Sequence, residues 1–432
     1  MNRIEVIRTV LEEGNRQKIK YCVLRNYDFL LENRTEVSPS ERSVDMVIAQ
    51  DSLAALEKVL IQCQFQPRKE RYSRCHKAYF RLLGTEPVSF DVQVGGISWN
   101  DLIYLSEDAL LARRVRRSFF YVPSVDDQFV MFVVHSLLGK RYFKEEYKKI
   151  ISSLCSQINP LQVLKVFSQI FGPGRAQQLY DLTIRREFEV ILAYKYHFIL
   201  TFLLQSRKRL FPFLSYALRY QKWQSFRLYP LISIIGPDGA GKTTMATALQ
   251  EYLHQHNRRA VIVYTGRGRG NILPMTRLGK RYKNQEKQRD RITPPQLGPR
   301  KLLYTLAFPV FTCDQLLRYL IHILPRRHRR TIVITDRYCS DLLLMKHVPL
   351  RFKRWLLSLF PQPTMTFYLY NTVEVLHSRR PQEAVEELQR QLTLFRELNS
   401  WLNLVEILTK DQKRDSEAVV AAVLTHVYRE WY

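Results

Sequence analysis

Apolar residues form two different patterns in the two halves of the chain. In the second half, short apolar runs alternate with longer segments whose apolar residues are three or four positions apart. The runs are residues 231–235, 260–264, 331–335, 365–370 and 404–408. Apolar runs of this length are typical of strands buried on both faces, and the spacing between them is typical of helices. The pattern predicts a parallel sheet covered by helices on both faces.

The first half begins as a smaller α/β pattern and then becomes helical. Helices are predicted over 4–13 and 53–62, and strands over 21–24, 43–48 and 88–94, with a polar loop over 33–42 between them. Helical spacing follows over 128–138, 142–155, 161–171, 176–184 and 187–204. We therefore predict an α/β domain over 1–122, a helical connecting region over 123–225 and an α/β domain over 226–432.

One loop in the second half has the spacing G-x-x-x-x-G-K-T, between a predicted strand and a helix predicted over 245–254. In such a loop, glycines let backbone N–H groups point at phosphate oxygens, and the helix adds its positive end. Lys242 would bridge the β- and γ-phosphates as an exposed loop residue, and the Thr243 hydroxyl would hold Mg²⁺. The sequence thus predicts ATP or GTP binding. The predicted nucleotide-binding residues are Gly236, Asp238, Gly239, Ala240, Gly241, Lys242, Thr243 and Thr244.

The strand over 331–335 delivers Asp336-Arg337-Tyr338 at its end. A Gly-x-Asp-Gly-Ala-Gly-Lys-Thr-Thr loop followed by a strand-ending Asp-Arg-Tyr resembles the thymidylate kinase family of nucleoside monophosphate kinases. The resemblance implies ATP and Mg²⁺ as cofactors and a nucleoside monophosphate, thymidylate first, as acceptor. It also implies that Asp238 contacts the acceptor sugar, that Asp336 organises Mg²⁺ and the acceptor phosphate, and that Arg337 contacts phosphate oxygens.

Phosphoryl transfer between two anions needs positive charge, and arginines on a closing lid supply part of it. Arg379 and Arg380 follow a helix predicted from 373 and are the candidate lid arginines; a solvated charge pair at a helix end is the alternative. Arg267 or Arg269 are candidates for the acceptor phosphate. Residues 311–318 differ from the family's base-reading helix, so the acceptor is left open.

Two carboxylates in the first domain, Asp45 and Asp91, lie on predicted strands. With these two carboxylates and the sequence Tyr-Cys-Val-Leu-Arg-Asn-Tyr at residues 21–27, the first domain resembles nucleotidyltransferase-fold domains encoded in bacterial polysaccharide gene clusters. That family's metal pair is Asp-x-Asp, and Ser43 stands in its first place here. We therefore predict a catalytically silent binding or scaffolding domain. Ordinary strand-end carboxylates are the alternative interpretation of Asp45 and Asp91. A transferase-like domain followed by a kinase-like domain resembles proteins encoded with surface-polysaccharide genes. This resemblance implies a sugar or sugar nucleotide as an alternative acceptor.

The formal net charge of +27 favours anionic partners, which include nucleotides, nucleic acid and acidic lipid; a solvated basic surface is the alternative. The aromatic and basic segment 207–227 is either an amphipathic helix on acidic lipid or a linker helix packed between domains. A P-loop ATPase or nucleic-acid-binding regulator is the alternative of another class; the basic stretch 267–301 favours it, and the Asp-Arg-Tyr sequence argues against it. Six scattered cysteines predict free thiols. With no signal-like N-terminus, we predict a cytoplasmic protein, with a homodimer possible.

Overall fold

The computed structural model describes residues 2–25, 27–31, 43–69, 73–225, 228–256, 258–266, 271–273, 297–400 and 404–431. Apart from a few residues at the end of the chain, it divides into two compact units, Met1–Phe226 and Arg227–Val427. Two sequence predictions, the loop over 33–42 and the role of Arg267 or Arg269, lie outside the described residues. All six cysteines are free, as the sequence predicts.

The first unit opens with a mixed sheet of order β1-β2-β5-β4-β3. β2 and β5 are parallel, and the other neighbouring pairs are antiparallel. The elements of this part are α1 (Arg3–Arg16), β1 (Tyr21–Arg25), α2 (Asp28–Leu31), β2 (Ser43–Ile48), α3 (Leu53–Gln62), β3 (Gln66–Pro67), β4 (His76–Leu83), β5 (Glu86–Val94), β6 (Gly96–Trp99), β7 (Leu102–Ser106), α4 (Glu107–Ala112), β8 (Val115–Arg117) and β9 (Phe120–Val122).

The helices that follow belong to the same compact unit. They are α5 (Val125–Val134), α6 (Glu145–Leu154), α7 (Pro160–Phe171), α8 (Pro173–Ile184), α9 (Phe188–Ala193), α10 (Lys195–Leu204) and α11 (Arg207–Ser225), with a π-helix at His135–Lys140 after α5. Their apolar side chains share one core with residues of β1, β2, β6 and β7, including Leu24 and Trp99. The helical region therefore forms part of the first unit's core.

The second unit is built on a five-stranded sheet in which every neighbouring pair is parallel. Its order is β11-β12-β10-β13-β14. The elements are β10 (Leu231–Ile235), α12 (Lys242–Gln255), β11 (Ala260–Tyr264), α13 (Leu297–Arg318), α14 (Leu324–His328), β12 (Ile332–Asp336), α15 (Leu350–Leu357), β13 (Met365–Tyr370), α16 (Val373–Arg379), α17 (Val385–Arg396), β14 (Leu404–Leu408) and α18 (Gln412–Trp431). The predicted fold class, a parallel sheet flanked by helices and preceded by a smaller α/β region, is confirmed.

The burial of its central strands explains why the second sheet could be predicted from the sequence. Every residue of β10 and β12 is buried, so both faces of these central strands require apolar side chains. Because all strands run the same way, their carboxyl ends meet at one edge, where the loop after β10 and the last residue of β12 come together. In α/β sheets this edge is where ligands bind.

Candidate active site

The loop after β10 follows the path that its glycines predict. A Cβ on Gly236 would lie 2.2 Å from the carbonyl oxygen of Leu369, so only glycine lets the loop pass β13 this closely. Gly241, with φ of +84°, adopts the left-handed conformation immediately before α12. The helix therefore begins at Lys242, three residues before its predicted start, and its positive end faces the loop.

Lys242 is buried, and the prediction that it is exposed is wrong. Its side chain is 6% exposed and folds back into the concave face of the loop. The ammonium donates a hydrogen bond to the carbonyl of Pro237 (2.7 Å) and lies 3.7 Å from Oδ1 of Asp238. Burial, with the nearby Arg337 charge, lowers the pKa of Lys242 to about 8, although the carboxylate of Asp238 opposes this shift.

Asp336 and Thr243 meet between β12 and the start of α12. The Thr243 hydroxyl donates to Oδ2 of Asp336 at 2.6 Å. The other carboxylate oxygen, Oδ1, is buried and has no hydrogen-bond partner among the described residues. An unsatisfied buried carboxylate oxygen is costly unless a ligand meets it, and oxygen donors of this kind suit Mg²⁺. The two residues therefore fit a magnesium ion that takes its other ligands from phosphates and water.

Arg337 is held between two carboxylates. Its Nη2 pairs with Oδ1 of Asp238, and its Nη1 lies 2.9 Å from Oδ1 of Asp341. Burial opposes its charged form, but Asp341 and Asp238 outweigh burial and raise the pKa of Arg337 above its usual value. Its backbone has φ of +71° and is fixed by a hydrogen bond from its N–H to the carbonyl of Ile234. Sequence reasoning missed Asp341, whose only signal is its position four residues after Arg337.

The two candidate lid arginines have different surroundings. Arg379 is the last residue of α16, and its guanidinium donates to the hydroxyl and the carbonyl of Thr409, both at 3.2 Å. It also reaches the carbonyl of Gly239 at 3.4 Å, so it joins the phosphate loop to the segment after β14. Arg380 is exposed, and its charge helps to lower the pKa of Asp238.

These side chains surround a cavity of about 690 Å³. Of the predicted site residues that the structure describes, all except Gly236 line it; Gly236 instead shapes the entry of the loop. The cavity is also lined by residues that the sequence did not indicate, among them Tyr264, Thr409, Lys410 and Gln412. A cavity of this size accommodates a ligand as large as a nucleotide.

The family comparison covers this site. Residues 234–423 match the thymidylate kinase family. The matched range contains the phosphate loop from its strand onward, Asp336, Arg337 and both candidate lid arginines. The match supports a nucleotide kinase domain that carries out ATP-dependent phosphotransfer, and members of this family use ATP with Mg²⁺. The predicted kinase resemblance of the second half is confirmed at this level. No curated protein matches the chain.

The carboxylates of the first unit stand side by side, because Asp45 and Asp91 are partners on the parallel strands β2 and β5. Arg25 forms an ion pair with Asp45, and the Ser43 hydroxyl donates to Oδ2 of Asp91 at 2.6 Å. Arg68 lies 3.7 Å from the other oxygen of Asp91. Burial raises the pKa of Asp45 although Arg25 opposes the shift.

Arg25 also contacts the π-helix and α6. Its Nη1 lies 2.7 Å from Nε2 of His135 and 3.3 Å from the hydroxyl of Tyr147. Across the described part of the chain, no group of three or more His, Cys, Asp or Glu side chains is placed to hold a metal ion. The nucleotidyltransferase resemblance of this unit and its catalytic silence stay predictions.

Proposed function

We propose that the second unit transfers the γ-phosphate of ATP to a nucleoside monophosphate, with thymidylate as the first candidate. The observation that carries the proposal is the convergence, in one nucleotide-sized cavity, of Lys242, the Thr243–Asp336 pair and the clamped Arg337. These groups supply what phosphoryl transfer requires, namely positive charge and fixed positions around the transferred group.

Each residue then has a defined task. Backbone N–H groups of Gly239 and of residues 241 to 243 cradle the β- and γ-phosphates, and Lys242 exchanges its bond to the Pro237 carbonyl for phosphate oxygens. Thr243 and Asp336 would hold Mg²⁺, which neutralises phosphate charge when bound. Arg337 is kept in one orientation by Asp238 and Asp341, so little reorganisation is needed when charge develops.

The arginines after β13 divide the remaining work. Because Arg379 already bonds to Thr409 and Gly239, we assign it the task of holding the phosphate loop against the segment after β14. Arg380 is the exposed neighbour and is assigned the lid role, in which its charge approaches the transferred phosphate. Asp238, engaged with Arg337 through Oδ1, would meet the acceptor's sugar hydroxyl with Oδ2.

The decisive experiment measures ADP release from ATP by the purified full-length protein with a panel of acceptors. The panel contains each common nucleoside monophosphate, representative sugars and sugar nucleotides, and DNA. We expect release to depend on a nucleoside monophosphate and the matching diphosphate to appear by ion-exchange chromatography. Release that needs no acceptor, or that only DNA stimulates, would contradict the proposal; release with a sugar alone would replace the proposed acceptor.

A further inference from the structure

Helix α10 is apolar on its outward side as well as on its buried side. Phe198 and Phe202 are fully buried in the core of the first unit. Tyr196, Leu200 and Leu204 lie four residues apart on the opposite side and are 65%, 55% and 66% exposed. Surface helices normally place charged and polar side chains on this side, so a second apolar stripe calls for an explanation.

Helix α11 repeats the arrangement. Phe211, Leu214 and Leu218 follow one another at three- and four-residue spacing and are 79%, 51% and 68% exposed. The helix packs against α10. We call these six side chains, three on each helix, the α10–α11 surface. Scattered exposed apolar residues are ordinary, but two helical stripes on adjacent helices indicate an interaction surface.

The charged residues in the sequence around these two helices have one sign. From residue 190 to residue 237 the sequence contains no Asp or Glu. The first part of this segment, up to 227, carries seven basic residues: Lys195, Arg207, Lys208, Arg209, Arg219, Lys222 and Arg227. Arg219 pairs with Asp101 at 2.7 Å, whereas Arg209 bonds to the carbonyls of Ile170 and Phe202, which leaves its charge in place. The segment therefore combines a net positive charge in its sequence with exposed apolar side chains.

We infer that the α10–α11 surface binds the face of an anionic lipid bilayer. Apolar stripes that enter the headgroup boundary, with basic side chains at the lipid phosphates, are the features of helices that lie in a membrane interface. A second copy of this chain would bring the same positive charge to the contact, so charge complementarity favours anionic lipid. No helix in the described ranges is long and apolar enough to cross a bilayer.

The test is flotation of the full-length protein with phosphatidylcholine vesicles that do or do not contain phosphatidylglycerol. We expect binding to the anionic vesicles only, and a decrease in binding at high salt. The double variant Leu204→Glu/Leu218→Glu should lose about tenfold or more of its binding, because two apolar anchors become anionic. The matched control is Ile61→Glu/Val115→Glu, which changes two exposed apolar residues of the same unit and should keep wild-type binding.

The possible results separate lipid from other causes. Thermal unfolding of both variants should match wild type, since all four positions are exposed. Equal vesicle binding by wild type and Leu204→Glu/Leu218→Glu would overturn the inference. An equal loss of binding in the control would also overturn it, because net charge alone would then explain the loss. A wild-type dimer without vesicle binding, which the double variant converts to a monomer in light scattering, would assign the surface to self-association instead.

Discussion

Both units have carboxylates on strands of their central sheets, but the carboxylates differ in whether the protein itself supplies partners for their oxygens. In the first unit, Asp45 pairs with Arg25, and Asp91 accepts a hydrogen bond from Ser43. In the second unit, Asp336 accepts one bond from Thr243 and has a buried oxygen without a partner among the described residues. The first pair of carboxylates is satisfied by the protein itself. The second site offers an oxygen that only a ligand can satisfy.

This difference shows that a strand carboxylate becomes a metal site only through its neighbours. The half-buried Arg25 supplies beside Asp45 the positive charge that a metal ion would otherwise bring, and Ser43 stands where the second carboxylate of the pair would be. Beside Asp336, the neighbour is a hydroxyl that leaves the negative charge in place. The following predictions test this contrast, from the largest expected effect to the smallest.

Lys242→Ala should lower phosphoryl transfer by about 10³-fold, because it removes a fixed positive charge at the phosphates. The measurement is acceptor-dependent ADP release under saturating ATP. Lys346→Ala, which removes an exposed lysine paired with Glu387, is the matched control and should leave the rate unchanged. Turnover by Lys242→Ala at the wild-type rate would remove the assignment of the phosphate loop.

Asp336→Asn should lower turnover by about 10²-fold and raise the Mg²⁺ concentration needed for half-maximal activity. The amide keeps the shape of the side chain and loses the charge that a cation requires. Glu406→Gln, at an exposed strand carboxylate of the same sheet, controls for the loss of one negative charge. If the Mg²⁺ requirement of Asp336→Asn equals that of wild type, Asp336 has only a structural task.

Asp45→Asn should leave the kinase rate unchanged and destabilise the first unit by about 2 kcal/mol, because Arg25 loses its charged partner. Hydrogen exchange of peptides from β1 and β2 reports this destabilisation. The double variant Asp45→Ala/Asp91→Ala extends the test, since we predict that residues from 226 onward carry the kinase activity. A folded double variant that no longer phosphorylates its acceptor would contradict this division of labour.

The last prediction concerns the dependence of stability on pH. Burial, with the charges of Arg25, Lys140 and Lys144, lowers the pKa of His135 from 6.5 to about 3. Between these values the unfolded chain binds a proton that the folded unit does not, so folding stability falls as the pH decreases from 6.5 towards 3. The slope is about 1.4 kcal/mol per pH unit. His135→Gln should reduce this slope in hydrogen exchange of α5; an unchanged slope would show that other groups control it.

The sequence predicted those features of the structure that depend on residues close together in the chain. The glycine spacing from Gly236 to Gly241 predicts the phosphate loop. The requirement for glycine at each of these two positions comes from the local backbone conformation or from the adjacent strand. The same holds for the fully buried strands β10 and β12. The strand β4 was not predicted, since most of its residues are half-buried and its two buried residues are consecutive, so the strand lacks a two-residue alternation.

Contacts between distant segments could not be predicted. The burial of Lys242 depends on the side chain turning back towards Pro237, which no spacing specifies. The bonds from Arg379 to Thr409 require β14 to lie beside β13, and that order is decided by the sheet. The two carboxylates that hold Arg337 likewise join the phosphate loop to the 3₁₀-helix Cys339–Leu344, which follows β12. Tertiary structure therefore supplied the orientation of residues that the sequence had already identified.

The hydrogen bond from Lys242 to the Pro237 carbonyl also affects how tightly the loop binds an anion. Any anion that enters must first outcompete this internal partner, and a charged hydrogen bond of this kind is worth about 1.5–3 kcal/mol. A triphosphate brings the oxygens of three phosphate groups to the loop, whereas inorganic phosphate brings those of one. We therefore expect the loop to bind a triphosphate more tightly than inorganic phosphate.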